Sequence, residues 1–183
     1  MKLALIGFGT VGRGAYDILK ARKDILKDTV GELEIAYIVA SDRSAERLGK
    51  ELTEKVVTAK DYDTVLEEVD IVAEATGAMD MAYDYMKRAL EAGVAVVTAN
   101  KAAVSAHFEE LHGIAEEKDV PFLFEAAVGG GIPVLTPLRS LCLENEIEEV
   151  QGILNGTCNY LINAMFKEGA EYDATLSLCQ KLG

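Results

Sequence analysis

Apolar and polar positions over the first 125 residues follow two signatures in turn, in the order strand, helix, strand, helix. Residues 2–6 form a short unbroken apolar run that stops at glycines, the pattern of a strand buried on both faces. Val11, Ala15, Ile18, Leu19 and Ile25 or Leu26 then recur at helical spacing, which predicts one long helix over 11–27 and a loop at Asp28-Thr29-Val30-Gly31. The pattern next predicts a strand over 33–40, a helix over 44–52 with Ser44 as N-cap, a short strand at Val56-Val57 and a helical turn or two over 62–68. A further buried strand over 70–75 closes at Thr76-Gly77, and a helix over 79–92 stops at Gly93. A strand over 94–98, a helix over 105–118 capped by Ser105 and a strand over 121–125 complete the series. Such alternation predicts an α/β fold, a parallel sheet covered on both faces by helices.

The character changes near Ala126. Three glycines and a proline in Val128-Gly129-Gly130-Gly131-Ile132-Pro133 exclude a regular strand interior and mark a hinge between domains or a ligand-facing loop, the hinge being the better reading of the residues alone. Beyond it the pattern predicts a helix over 135–142, a strand over 148–154, a turn at Asn155-Gly156-Thr157, and helices over 158–167 and 174–182. Residues 1–127 therefore read as one domain and 128–183 as the beginning of a second, α+β domain.

Composition narrows the classes. The chain has 183 residues, half of them hydrophobic, and a net charge of −13, with no basic patch of the kind a nucleic-acid partner requires. No apolar run approaches the roughly 20 residues of a membrane span, and the apolar start runs into glycines without a cleavage site, so a cytoplasmic protein is expected. Cys142, Cys158 and Cys179 have no CxxC spacing and are expected to be buried, reduced thiols. His107 and His112 lie five apart, a poor spacing for joint metal ligation, and read as surface or otherwise satisfied side chains.

Five segments carry candidate chemistry. Gly7-Phe8-Gly9-Thr10-Val11-Gly12 is a GxGxxG sequence after a strand and opening a helix. Gly7 permits the tight turn, Gly9 lets backbone approach a pyrophosphate, and Gly12 lets helix and strand pack closely, with the helix N-terminus facing the negative charge. This predicts a Rossmann-type doubly wound sheet that binds NAD or NADP. At the end of the second strand, Asp42 suits ribose hydroxyls and Arg43 suits a 2′-phosphate. Asp42 lies 30 residues after Gly12, further than the usual spacing of roughly 20, and a turn residue is the alternative. Lys101, in Thr98-Ala99-Asn100-Lys101, sits where a strand's carboxyl end meets ligands, with a solvated lysine as the alternative; Asn100 either orients it or caps the next helix. Glu125 beside the glycine loop offers oxygens to a hard cation, and Asn155, Gly156 and Thr157 form either a polar substrate pocket or a capped helix start.

Together, residues 6–12, 70–77, 98–101, 125–133 and 152–161 resemble the homoserine dehydrogenase family, and the last three segments are the more specific. The resemblance implies reversible hydride transfer between a nicotinamide cofactor and the aspartate 4-semialdehyde/homoserine pair, on the route to threonine, isoleucine and methionine. It implies that Thr76 and Gly77 lie near the cofactor and that Lys101 stands beside nicotinamide and substrate. Glu125, Val128, Gly130 and Ile132 match positions that hold a sodium-type cation, the last three through carbonyls, and the family is commonly a homodimer through its second domain. The family's later acidic segment, with a substrate-binding glutamate, an aspartate and a second lysine, has no counterpart before Gly183. The chain is accordingly expected to be an N-terminal part of a longer enzyme, inactive or very weak alone. A non-catalytic dinucleotide sensor and a dehydrogenase of another amino-acid substrate are the competing readings.

Overall fold

Six parallel strands form one sheet in the computed structural model, which describes residues 1–182. In chain order the elements are β1 (Lys2–Ile6), α1 (Thr10–Ala21), α2 (Lys23–Val30), β2 (Glu34–Val39), α3 (Asp42–Glu51), β3 (Lys55–Val57), a 3-10 turn (Ala59–Asp61), α4 (Tyr62–Leu66), β4 (Ile71–Glu74), α5 (Met79–Glu91), β5 (Ala95–Thr98), α6 (Lys101–Lys118), β6 (Phe122–Leu123) and α7 (Glu125–Gly129). The helices α8 (Leu135–Cys142), α9 (Gly156–Glu168) and α10 (Tyr172–Leu182) follow. Strand order is β3-β2-β1-β4-β5-β6. The chain winds outward from β1 through β2 to β3, returns past β1, and winds the other way from β4. That reversal leaves a crevice at the carboxyl ends of β1 and β4, where open α/β sheets bind ligands.

The expected alternation of strand and helix holds through residue 118, and the sheet is buried on both faces as a parallel sheet must be. Ala4 and Ile6 of β1 join Tyr37, Val39, Val72 and Val96 in a core closed by Met86, Leu90 and Leu111. Leu3 and Leu5 alternate to the opposite face, where Ile38 and Leu48 are also buried. Tyr62 is fully buried, and its hydroxyl donates to the Tyr85 carbonyl at 2.8 Å. No helix among the described residues is long and apolar enough to cross a membrane.

Several boundaries differ from the sequence reading. The helix expected over 11–27 is two helices, broken at Arg22, whose backbone (φ −109°, ψ 16°) leaves the helical region. The expected loop at 28–31 is mostly the end of α2, which stops at Gly31 with φ +81°. Val11 and Ile18 point outward at 58% and 63% exposure, while Gly12, Ala15, Tyr16 and Leu19 form the inward face of α1. The strand expected over 121–125 is only Phe122–Leu123, because Glu125 already opens a helical turn.

The described residues form two compact units, one up to Gly130 and one from Gly131 onward. The second contains helices only. Residues 148–154 are not a strand, since no other strand in this unit, among the described residues, is there to pair with its backbone. Ala164, Thr175 and Cys179 are buried where α9 and α10 pack. Cys179 is thus the buried thiol expected, whereas Cys142 and Cys158 are exposed. His107 stacks on Tyr83 at 3.9 Å between ring centroids, and His112 stacks on Phe108, so both rings are satisfied apart from each other.

A polar clasp holds the outer end of α1 to the loop before β3. Glu54, 7% exposed at its side chain, accepts from Lys20 Nζ at 2.6 Å and Tyr16 Oη at 2.9 Å. Burial works against the charged carboxyl, but the hydrogen bonds from Lys20 and Tyr16 outweigh it and hold the group at about 2. The unfolded value is near 4.3, so the clasp's contribution is complete above that pH and is lost as pH falls through about 2. Lys20 is half exposed, which limits the contribution to about 1–2 kcal/mol. Glu54→Gln is expected to lower stability by that amount at pH 7 and by only a small part of it near pH 2, where the folded-state carboxyl is half protonated. Urea unfolding followed by circular dichroism across that range checks it; an equal deficit at both ends contradicts the assignment.

Candidate functional site

The glycine turn between β1 and α1 is built as its sequence requires. Gly7 has φ +85°, and its N–H donates to the Val39 carbonyl at 3.0 Å, tying the turn to β2. A Cβ at Gly7 would lie 2.9 Å from the Ala75 carbonyl oxygen, and one at Gly12 would lie 2.0 Å from the Gly7 carbonyl oxygen. Both sites therefore exclude any side chain through backbone contacts. Gly9 differs: it caps α1 at an ordinary φ of −82°, and a Cβ there would meet no protein atom within 4 Å. Its absent side chain leaves open space at the mouth of the helix. No side chain caps α1, and no acidic residue occupies its first turn. The amides of Thr10, Val11 and Gly12 have no carbonyl partner within the helix, so they present positive partial charge toward the space beside Gly9. Phe8 flanks the turn, packing edge-on against Tyr16 with the Arg13 guanidinium 4.9 Å from its ring centroid.

The next two strand ends are joined by a buried carboxyl. Glu74, the last residue of β4, is 2% exposed and sits in register with Ile6 of β1 and Thr98 of β5. One oxygen accepts from the Thr76 N–H and the Thr76 hydroxyl, both at 2.6 Å; the other accepts from the Thr98 hydroxyl at 2.5 Å. Thr98 Oγ in turn accepts from the Asn100 N–H at 3.0 Å. Asn100 is buried and donates through Nδ2 to the Thr76 carbonyl at 3.1 Å, while Oδ1 accepts from the Ala103 N–H at 3.0 Å. Asn100 is therefore the cap of α6, five residues before the cap expected at Ser105. The sequence pattern was obscured there by a kink at His107 (φ −129°), which interrupts the helical periodicity.

Lys101 is the first residue of α6, exposed at the same sheet edge as Thr76 and Gly77. A cation at the positive end of a helix opposes the dipole, so the position does nothing for the helix. It does add positive charge to this edge of the sheet. The sequence reading gives neither Glu74 nor Thr98 a role. The available signal was a single carboxylate inside an otherwise apolar buried strand, which needs hydrogen-bond partners to be tolerated.

The remaining candidates are placed as follows. Helix α3 begins at Asp42, not Ser44, with Ser41 at the N-cap. Asp42 and Arg43 thus occupy its first two positions just beyond β2. Asp42 is 71% exposed at its side chain, with Lys60 Nζ 3.8 Å away. Glu125 opens α7, Val128 lies within that helix, and Gly130 ends it with φ +62°; Ile132 belongs to the second unit. The open loop expected around these residues is thus a helical turn up to Gly129. In the second unit Asn155 Oδ1 accepts from the Cys158 N–H at 3.0 Å and caps α9, whose first residues are Gly156 and Thr157. The capped helix start is what forms.

An all-parallel sheet in this order, with a GxGxxG turn at its reversal point, defines a dinucleotide-binding α/β protein of the Rossmann type. Residues 7–125 match the family model described as homoserine dehydrogenase, NAD binding domain, and residues 133–183 match the model described as homoserine dehydrogenase. The chain belongs to the homoserine dehydrogenase family. It is 40% identical to the homoserine dehydrogenase of Corynebacterium glutamicum over 99% of its own length and 41% of that protein's. Identity to the Lactococcus lactis enzyme is 34%, over the whole chain and 44% of the relative. The solved homoserine dehydrogenase of Thiobacillus denitrificans superimposes with a TM-score of 0.86 at 34% identity, covering all of this chain and 42% of that one. The chain spans about two fifths of the length of the curated relatives it matches.

Proposed function

We propose that this chain supplies the cofactor-binding domain and the start of the substrate domain of an NAD(P)-dependent homoserine dehydrogenase. The observation that carries the reading is the convergence of three loops at the carboxyl edge of adjacent strands: Gly7–Gly12 after β1, Thr76-Gly77 after β4, and Asn100-Lys101 after β5. The pyrophosphate is received by the first turn of α1 over Gly9, with Phe8, Thr10 and Val11 around it. Asp42 and Arg43 would hold the adenosine ribose, and Thr76 and Gly77 would line the nicotinamide end. When bound, the cofactor supplies the hydride. Lys101 stabilises the negative charge that develops on the substrate oxygen and assists proton transfer there, and positioning provides the rest. Residues 1–127 serve the cofactor, and residues from 128 onward begin the part that meets substrate through Asn155, Gly156 and Thr157.

Carboxylate and carbonyl oxygens suit a hard, sodium-type cation. Glu125, Val128, Gly130 and Ile132 are the residues that would hold it. Homodimerisation is supported by apolar side chains left exposed in the second unit, with Leu143 at 87% and Phe166 at 89%.

The test is a paired one. The chain is titrated with NADH and NADPH by nicotinamide fluorescence, and the gene product carrying it is assayed for homoserine-dependent reduction of NAD and NADP and sized in solution. Saturable binding with homoserine-dependent turnover is expected. Binding without turnover on homoserine favours a sensor or another amino-acid substrate, and no binding at all removes the reading.

A further inference from the structure

We infer that Glu74 is a positioning residue that locks the loop carrying Thr76-Gly77 to the helix start carrying Lys101, and so sets the geometry of the nicotinamide end of the site. The inference rests on the functional reading above and adds to it a residue that touches neither cofactor nor substrate.

Burying a carboxyl at a sheet interior is costly unless each oxygen is satisfied, and an apolar residue would fill the same place without that cost. Among the described residues, Glu74 is satisfied by Thr76 in the loop after β4 and by Thr98 at the end of β5. It receives the Thr76 N–H and hydroxyl from one side and the Thr98 hydroxyl from the other. The relay continues from Thr98 to the Asn100 N–H, and Asn100 closes the ring by donating to the Thr76 carbonyl. Asn100 also caps α6 through Ala103, so the first turn bearing Lys101 is oriented from the same ring. Of these five hydrogen bonds, two, from Thr98 to Glu74 and from Asn100 to Thr76, join residues 24 positions apart in sequence. All three hydrogen bonds received by Glu74 require it to act as an acceptor. Glu74→Gln keeps its size but presents an NH2 in place of one accepting oxygen. If that NH2 faces Thr98, the Thr98 hydroxyl proton loses its acceptor; if it faces Thr76, two donors lose theirs.

The experiment compares the wild-type chain with Glu74→Gln, Thr98→Val, Thr98→Ser and the double variant Glu74→Gln/Thr98→Val. Three properties are read: NADH and NADPH affinity, the thermal midpoint, and amide exchange at residues 76–78 and 100–104 without cofactor. Glu74→Gln and Thr98→Val are each expected to weaken cofactor binding roughly tenfold or more and to speed exchange in both segments together. Thr98→Ser, which keeps the hydroxyl, is expected to retain wild-type affinity. The double variant is expected to lose less than the sum of the two singles, because both cut the same ring. Thr98→Val substitutes one β-branched strand residue for another and keeps the test decisive if Glu74→Gln fails to fold. Variants that bind like wild type, or that lose thermal stability alone with unchanged affinity and exchange in these segments, overturn the inference while leaving the functional reading intact. A wild-type chain that binds neither cofactor overturns both.

Discussion

Gly12→Ala is expected to weaken NADH and NADPH binding by at least about a hundredfold, and it does so without touching the cofactor. Its methyl group would sit 2.0 Å from the Gly7 carbonyl oxygen, a backbone atom that cannot swing aside. Relief requires α1 and the turn to separate by more than an ångström, which moves the first-turn amides away from the phosphate position. Overpacking of this kind costs about 1–3 kcal/mol in stability as well. Two neighbouring glycines isolate the cause. Gly14→Ala meets nothing within 4 Å inside the same helix and is expected to leave binding unchanged while raising stability by about 0.5–1 kcal/mol. Gly9→Ala also meets no protein atom, so any loss of affinity there, with an unchanged thermal midpoint, reports a ligand lying over Gly9 itself. Calorimetric titration and thermal melts of the three variants read all of this. Equal affinities for Gly12→Ala and wild type contradict the turn as the phosphate site.

Lys101→Met is expected to lower homoserine turnover by the gene product roughly 10²–10⁴-fold, with cofactor affinity falling far less. The side chain is exposed and opposes the dipole of the helix it begins, so its removal does not cost stability, and a small gain in thermal midpoint is expected. That combination separates a chemical role from a structural one. A structural lysine would lose stability first and activity in proportion. Turnover by the variant within a few-fold of wild type, with cofactor and homoserine saturating, places the charge-stabilising group elsewhere.

The two variants differ in how far their sites could be read beforehand. The Gly7–Gly12 turn was legible because its requirement is local: a positive φ, a close backbone contact and a helix start lie within six consecutive residues. The buried strands were legible for the same reason, since apolar runs such as Leu3 to Ile6 record burial on both faces. Lys101 could be placed at a strand end, but its surroundings could not. Periodicity places the start of α6 at Ser105 and leaves Asn100 as an alternative cap; the fold selects Asn100, which is also tied to Thr76, and kinks the helix at His107, where the ring stacks on Tyr83. The inward face of α1 was misread for a related reason. Periodicity marks Val11 and Ile18 as apolar, but whether an apolar residue faces the sheet depends on where the turn at Gly12 docks the helix. In the second unit, the run at 148–154 has strand-like composition, yet a strand exists only where another backbone pairs with it.

By itself the sequence determined the order of elements, the glycine turn that faces the helix dipole toward an anion, and membership of a dehydrogenase family. The first two follow from stereochemistry and periodicity over a few residues at a time, the third from the resemblance of its motifs. Only the tertiary structure decided that Glu74, Thr76, Thr98 and Asn100 form one ring, and that this ring orients Lys101. The parallel pairing of β4 with β5 brings Glu74 opposite Thr98, and hydrogen bonds act only between groups that the fold has already brought within about 3 Å of each other.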